Sequence, residues 1–141
     1  MTQDGEGIVN RLSFAKLVVD DLEAMARFYE QVFGLTRVAR FQAASEMGPI
    51  DEIVLDPGEG ARLIVVKRLE RPAPPPGELI LGFRSTEIDQ LFEKASAAGA
   101  TIVRSPSPSM EGGGVIVGLL ADPEGHLTEV IHSPTSGAGT K

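Results

Sequence analysis

The residues able to do chemistry in this 141-residue chain are few and gather near its end. The segment from Asp122 to His132 (DPEGHLTEVIH) holds both histidines, His126 and His132, with Glu129 lying three residues from each. Imidazole and carboxylate are the common makings of a metal site or an acid–base pair. The spacing works against a joint site, because side chains alternate faces along a strand and an odd separation sets both histidines opposite Glu129. His126 falls in a tight turn, where a small polar residue suits positive φ, and His132 lies near the chain's ordered end; neither is expected to do direct chemistry. The run Gly112-Gly-Gly114 is not a phosphate loop, since no Lys-Ser/Thr follows and no helix begins there. It reads as a flexible hairpin or lid, with Met110 and Glu111 placed to touch a ligand on closure. No cysteine is present, which excludes disulfides and thiolate-metal sites and agrees with a reducing cytoplasm.

Length and composition bound what must position these residues. One domain with a real core fits 141 residues, and 42% hydrophobic with 23% charged residues is an ordinary globular balance. No apolar run reaches the roughly 18 residues needed to cross a bilayer, so no membrane partner is expected. The first ten residues have neither a cationic nor an apolar stretch, so no secretory signal is expected and the location expected is cytoplasmic. The net charge of −7 has no Lys/Arg cluster set against it, which argues against nucleic acid as a partner.

Patterning divides the chain into a flexible N-terminus (1–11), one domain (12–134) and a disordered tail (135–141). Within the domain, Arg71-Pro-Ala-Pro-Pro-Pro-Gly77 is a semi-rigid linker between segments 12–70 and 78–134. The first segment opens with a strand, Leu12 to Asp20. A helix follows, capped by Asp20 or Asp21, with capping-box spacing from Asp20 to Glu23. Its apolar stripe runs through Leu22, Met25, Phe28, Tyr29, Val32 and Phe33, and Gly34 ends it. Strands are expected at 36–42, 51–55 and 61–67. The second segment repeats the order: a strand at 79–84, a helix capped by Thr86 and stopped by Gly99, then strands at 101–104, 115–120 and 127–132. Each half is βαβββ, and the halves superpose with an offset of about 65–66 residues.

The segments LVVDDLEAMARFYEQVFGL and DPEGHLTEV, in this order of elements, resemble the vicinal-oxygen-chelate superfamily of glyoxalases, bleomycin resistance proteins and dioxygenases. The resemblance covers roughly Leu12 to Ser133. It implies an α+β fold in which two βαβββ modules form a curved mixed sheet, or cup. In that superfamily a divalent metal is held by one residue from each of four strands, and the resemblance places those positions at Phe14, Ile64, Ile80 and Glu129. Ile80 lies 66 residues after Phe14 and Glu129 65 after Ile64, the offsets of the internal repeat. Three of the four are apolar, and a catalytic metal needs nitrogen, oxygen or sulfur donors. No cofactor is therefore expected; a metal would require a different register.

The expected function is binding of a small organic molecule in an apolar cup, in the manner of a bleomycin resistance protein, by a chain that pairs as a homodimer. The expected ligand-binding residues are Phe14, Lys16, Ile64, Ile80, Arg84 and Glu129. Lys16 and Arg84 share strand parity with Phe14 and Ile80, and either could bind an anion, neutralise Glu129 or extend to the rim. An enzyme of the same superfamily, a lyase, isomerase or dioxygenase type using Glu129 as base or metal ligand, is the alternative. In an apolar cup Glu129 would be desolvated and suited to proton transfer, whereas a structural Glu129 would be salt-bridged or point to water. A scaffold acting through protein contacts is the third reading.

Overall fold

Strand and helix segments follow the hydrophobic periods of the sequence. The computed structural model describes residues 9–110 and 112–133. The tail 135–141, most of 1–11 and Glu111 beside the glycine run lie outside them. The elements are β1 (Phe14–Val18), α1 (Leu22–Phe33), β2 (Thr36–Ser45), β3 (Gly48–Asp56), β4 (Arg62–Arg68), β5 (Ile80–Arg84), α2 (Ile88–Ala97), β6 (Thr101–Pro108), β7 (Ile116–Ala121) and β8 (Leu127–His132). They form two βαβββ modules, each with its own four-stranded mixed sheet, ordered β1-β4-β3-β2 and β5-β8-β7-β6.

The internal repeat extends to the hydrogen-bond register. Lys16 lies opposite Ile64 in the parallel β1–β4 pair, and Gly82 lies opposite Glu129 in the parallel β5–β8 pair. The same offsets, 66 and 65, thus relate backbone partners as well as sequence motifs.

Each helix covers one face of its sheet. Leu22, Met25, Ala26, Phe28, Tyr29 and Val32 of α1 are buried, as are Ile88, Leu91, Phe92 and Ala95 of α2. These stripes join Leu17, Ile53, Leu55, Leu63 and Val65 of one sheet and Leu120 and Val130 of the other in a single core. At roughly 1.5–3 kcal/mol per large buried side chain, this packing dominates the stabilisation. Polar contacts lock the modules together: the Tyr29 hydroxyl donates to Asp122 Oδ2 at 2.7 Å, and the Glu124 carboxylate accepts from Asp20 N and Asp21 N at 2.9 and 2.7 Å. Phe33 of α1 stacks on Phe83 of β5 with centroids 4.0 Å apart.

Several ends differ from the sequence reading. Asp21 alone caps α1, accepting from Ala24 N, while the Asp20 side chain accepts from Ala73 N in the proline linker, so no Asp20–Glu23 capping box forms. α2 starts one residue later than expected, after Glu87 and without a side-chain cap; the hydroxyl accepting from Glu87 N belongs to Ser85, not Thr86. β6 continues through Pro106 to Pro108 because it is an edge strand, where a missing N–H costs no ladder bond. Among the described residues no helix is long and apolar enough to cross a membrane.

Candidate functional site

No helix covers the far, or open, face of either sheet, although in the first sheet its central β3 and β4 side chains pack closely and are buried; strand parity decides which side chains stand on it. In β3, Ile53 and Leu55 join the core, so Ile50, Glu52 and Val54 project from the open face. Cross-strand partners share a face, which puts Lys16 and Ile64 beside Val54, and Val66 beside Glu52. Phe14 precedes Lys16 by two residues on the same face, and its ring is 48% exposed. Phe14, Val54, Arg62 and Ile64, with Arg11 to Ser13 and Gly60, line a cavity of about 570 Å³. Two of the expected positions, Phe14 and Ile64, are thereby brought into one site.

The remaining positions stand apart from it. Ile80 is 54% exposed and lines a smaller apolar cleft of about 280 Å³ between β1, β4 and β5, together with Ala15, Leu63 and Phe83. Glu129 and Arg84 are exposed on the open face of the second sheet, two steps apart along the β5–β8 pair. The enclosed apolar surroundings expected for Glu129 are absent in the single chain. Neither Lys16 nor Arg84 neutralises it. Lys16 Nζ lies 3.0 Å from Glu52 Oε1 instead, reaching diagonally across β4. Met110 is almost fully exposed and away from this cavity's lining.

Glu52 is the group that sequence reasoning passed over. It is 3% exposed, and its Oε1 has no aligned hydrogen-bond donor, so the nearby ammonium is a Coulombic partner rather than a hydrogen-bonding one. Lys16 also sits 5.9 Å from the centroid of the Phe14 ring, which places its charge between the carboxylate and the aromatic group. The signal was available: an acid at the second place of a strand whose neighbours two along, Ile50 and Val54, are both apolar.

Both histidines make contacts within the fold. His126 does not take positive φ; Gly125 does, at 100°, and His126 is buried against the other module. Its Nδ1 lies 3.0 and 2.9 Å from the two Asp122 carboxylate oxygens and its Nε2 3.1 Å from the Val18 carbonyl. With acceptors facing both nitrogens, the doubly protonated ring satisfies both contacts. Burial opposes the charge, but the Asp122 hydrogen bond and charge and the Val18 carbonyl outweigh it and raise the His126 pKa. Burial above all, and then Asp122, pushes the Tyr29 hydroxyl far up as well, so it remains a donor. His132 turns to the helix side, its Nδ1 2.9 Å from the Ser85 carbonyl oxygen.

The four positions do not fit a metal. Phe14, Ile64 and Ile80 have no donor atom, and a slip of one residue substitutes Ser13 or Ala15, Leu63 or Val65, and Leu79 or Leu81. The Ser13 hydroxyl is the sole polar side chain in that set. Among the described residues no three His, Cys, Asp or Glu side chains converge as a metal site would need.

A family model described as Glyoxalase/Bleomycin resistance protein/Dioxygenase superfamily matches residues 11–130. No curated protein matches the sequence. Among solved structures, a glyoxalase family protein from Bacillus cereus is 18% identical with a TM-score of 0.75, over 88% of this chain and 94% of that one. A glyoxalase-related enzyme from Fulvimarina pelagi is 27% identical, TM-score 0.67, over 90% and 91%. Glyoxalase I from Zea mays is 20% identical, TM-score 0.68, over 86% of this chain but 44% of its own.

Proposed function

From the premise that the chain belongs to the glyoxalase/bleomycin resistance protein/dioxygenase superfamily, we propose that it binds a small organic molecule on its open sheet faces without the superfamily's metal. The observation behind this reading is that Phe14 and Ile64, at two of the positions where the superfamily holds its metal, line one cavity of about 570 Å³. Volumes of that order suit small-molecule ligands. Exposed Phe14, Phe41 and Ile80 leave apolar area uncovered in the single chain, and a two-fold homodimer would enclose it. A cytoplasmic location completes the proposal.

The neutral fluorophore N-phenyl-1-naphthylamine tests it. Binding to the wild type, unchanged by a chelator and weakened about tenfold by Phe14→Asp, supports the reading, since a buried charge against an apolar ligand costs more than 1.4 kcal/mol. No binding, or binding that needs added metal, overturns it.

An enzymatic reading rests on Glu129, an exposed carboxylate on the second open face that has no ion-pair partner among the described residues. Turnover of a superfamily substrate that is lost in Glu129→Gln while ligand binding persists would establish it. Equal turnover in both proteins would leave Glu129 without a catalytic part.

A further inference from the structure

Charge at the Phe14–Ile64 cavity is unevenly balanced, and the imbalance has a sign. Four bases belong to this side of the first sheet, of which Arg68, opposite Ile50, donates to the Pro72 carbonyl and lies outside the cavity lining. Lys16 is matched by Glu52 at 3.0 Å, and Arg62 by Asp56 at 3.2 Å. Arg11 lines the cavity, is exposed, and has no ion-pair partner among the described residues. Glu59, next to Gly60, does not enter the lining. Among the described residues that line the cavity, Arg11 is thus the one positive charge without an ion-pair partner, on a protein whose net charge is −7. The rest of the lining is mostly apolar, Leu12, Phe14, Val54 and Ile64, with Ser13 and Gly60 beside them.

The pair beneath the cavity is not a requirement of the fold. The register equates Lys16 with Gly82 and Glu52 with Val117 in the second module, where the sheet forms without either charge. A Cβ at Gly82 would meet nothing within 4 Å, so that face has room for a side chain it does not have. The Lys16–Glu52 pair therefore serves this face in particular. It fixes an ammonium beside the Phe14 ring and cancels it, leaving Arg11 and the outer N–H groups of the exposed Arg62 to meet a ligand.

We infer that the ligand of this cavity is an organic monoanion with a flat apolar body, a carboxylate or sulfonate for example. The body rests on Phe14, Val54 and Ile64, and Arg11 receives the anionic group with Arg62 at its side. This inference depends on the proposed binding function and narrows it to one ligand class.

Two fluorophores sharing one ring system separate the claims: 1-anilinonaphthalene-8-sulfonate, a monoanion, and neutral N-phenyl-1-naphthylamine. Arg11→Gln should weaken the sulfonate about five- to tenfold, the net scale of one hydrogen bond at an exposed site, and leave the neutral probe within about twofold. The distant exposed Lys94→Gln should change neither, which separates a local contact from net charge. Rising salt should weaken the sulfonate in the wild type more than in Arg11→Gln. Partial unfolding would raise both signals together and is thereby distinguished. Neutral-probe binding with sulfonate affinity untouched by Arg11→Gln overturns the anion inference alone. Failure of both probes to bind the wild type overturns the binding function beneath it.

Discussion

Breaking the Lys16–Glu52 pair from one side should cost much more than removing it whole. Glu52 is 3% exposed and ringed by Ile50, Val54 and Val66, while the Lys16 side chain is 37% exposed. Lys16→Met strands a carboxylate in an apolar setting. Orphaning one member of a fully buried pair costs about 3–5 kcal/mol; water reaching the Lys16 end lowers this to roughly 1.5–3 kcal/mol. Glu52→Leu leaves an ammonium that can swing into solvent, so its cost should be below about 1 kcal/mol. The double variant Lys16→Met/Glu52→Leu should return to wild-type stability or exceed it, because well-packed apolar residues often match a buried pair. Urea denaturation of the four proteins gives the coupling directly, with unchanged slopes confirming that the unfolded state is comparable. At about 3–5 °C per kcal/mol for a domain of this size, melting temperatures should follow the same order. Additive single costs, each under about 0.5 kcal/mol, would mean that Glu52 is hydrated and would refute the argument that it is held under Lys16.

The inter-module polar cluster should show its own signature. Tyr29→Phe removes the 2.7 Å donor to Asp122 and should cost about 1–2 kcal/mol in urea denaturation; no loss would mean that water replaces it. Because the folded His126 pKa is raised, its contribution over His126→Gln should be full below about pH 6.5 and fade as pH rises through the folded value. Urea midpoints at several pH values would reveal the opposite slope if the ring were neutral when folded. Gly118→Ala would set a Cβ 2.5 Å from the Phe92 ring and should lower stability by about 1–3 kcal/mol, measured by thermal melting; a neutral effect would show that α2 yields freely.

Most of the architecture was legible because it rests on local pattern. The stripe from Leu22 to Phe33 and the stop at Gly34 specify α1, and Asp122-Pro-Glu-Gly125 marks the turn before β8. The extension of β6 through two prolines was not legible, since only its edge position permits it. Of the expected positions, Phe14 and Ile64, placed by motif and repeat, share a cavity. Pairings across strands were less accessible. That Lys16 meets Glu52 rather than Glu129 depends on the β1–β4–β3 register, which places Glu52 diagonally from Lys16 across one strand. His126 was read only as a turn residue because the distant Val18 carbonyl reaches its ring only once the modules pack.

The claim that the metal positions have become ligand-binding surface is tested most directly by metal content at equilibrium. The untagged wild-type chain would be dialysed against micromolar zinc, nickel or iron(II) and the bound metal counted per chain. With Phe14, Ile64 and Ile80 offering no donor, the content should stay far below one ion per chain and be the same in Glu129→Gln. One ion per chain, lost in Glu129→Gln, would contradict the account and restore a metal to the open faces.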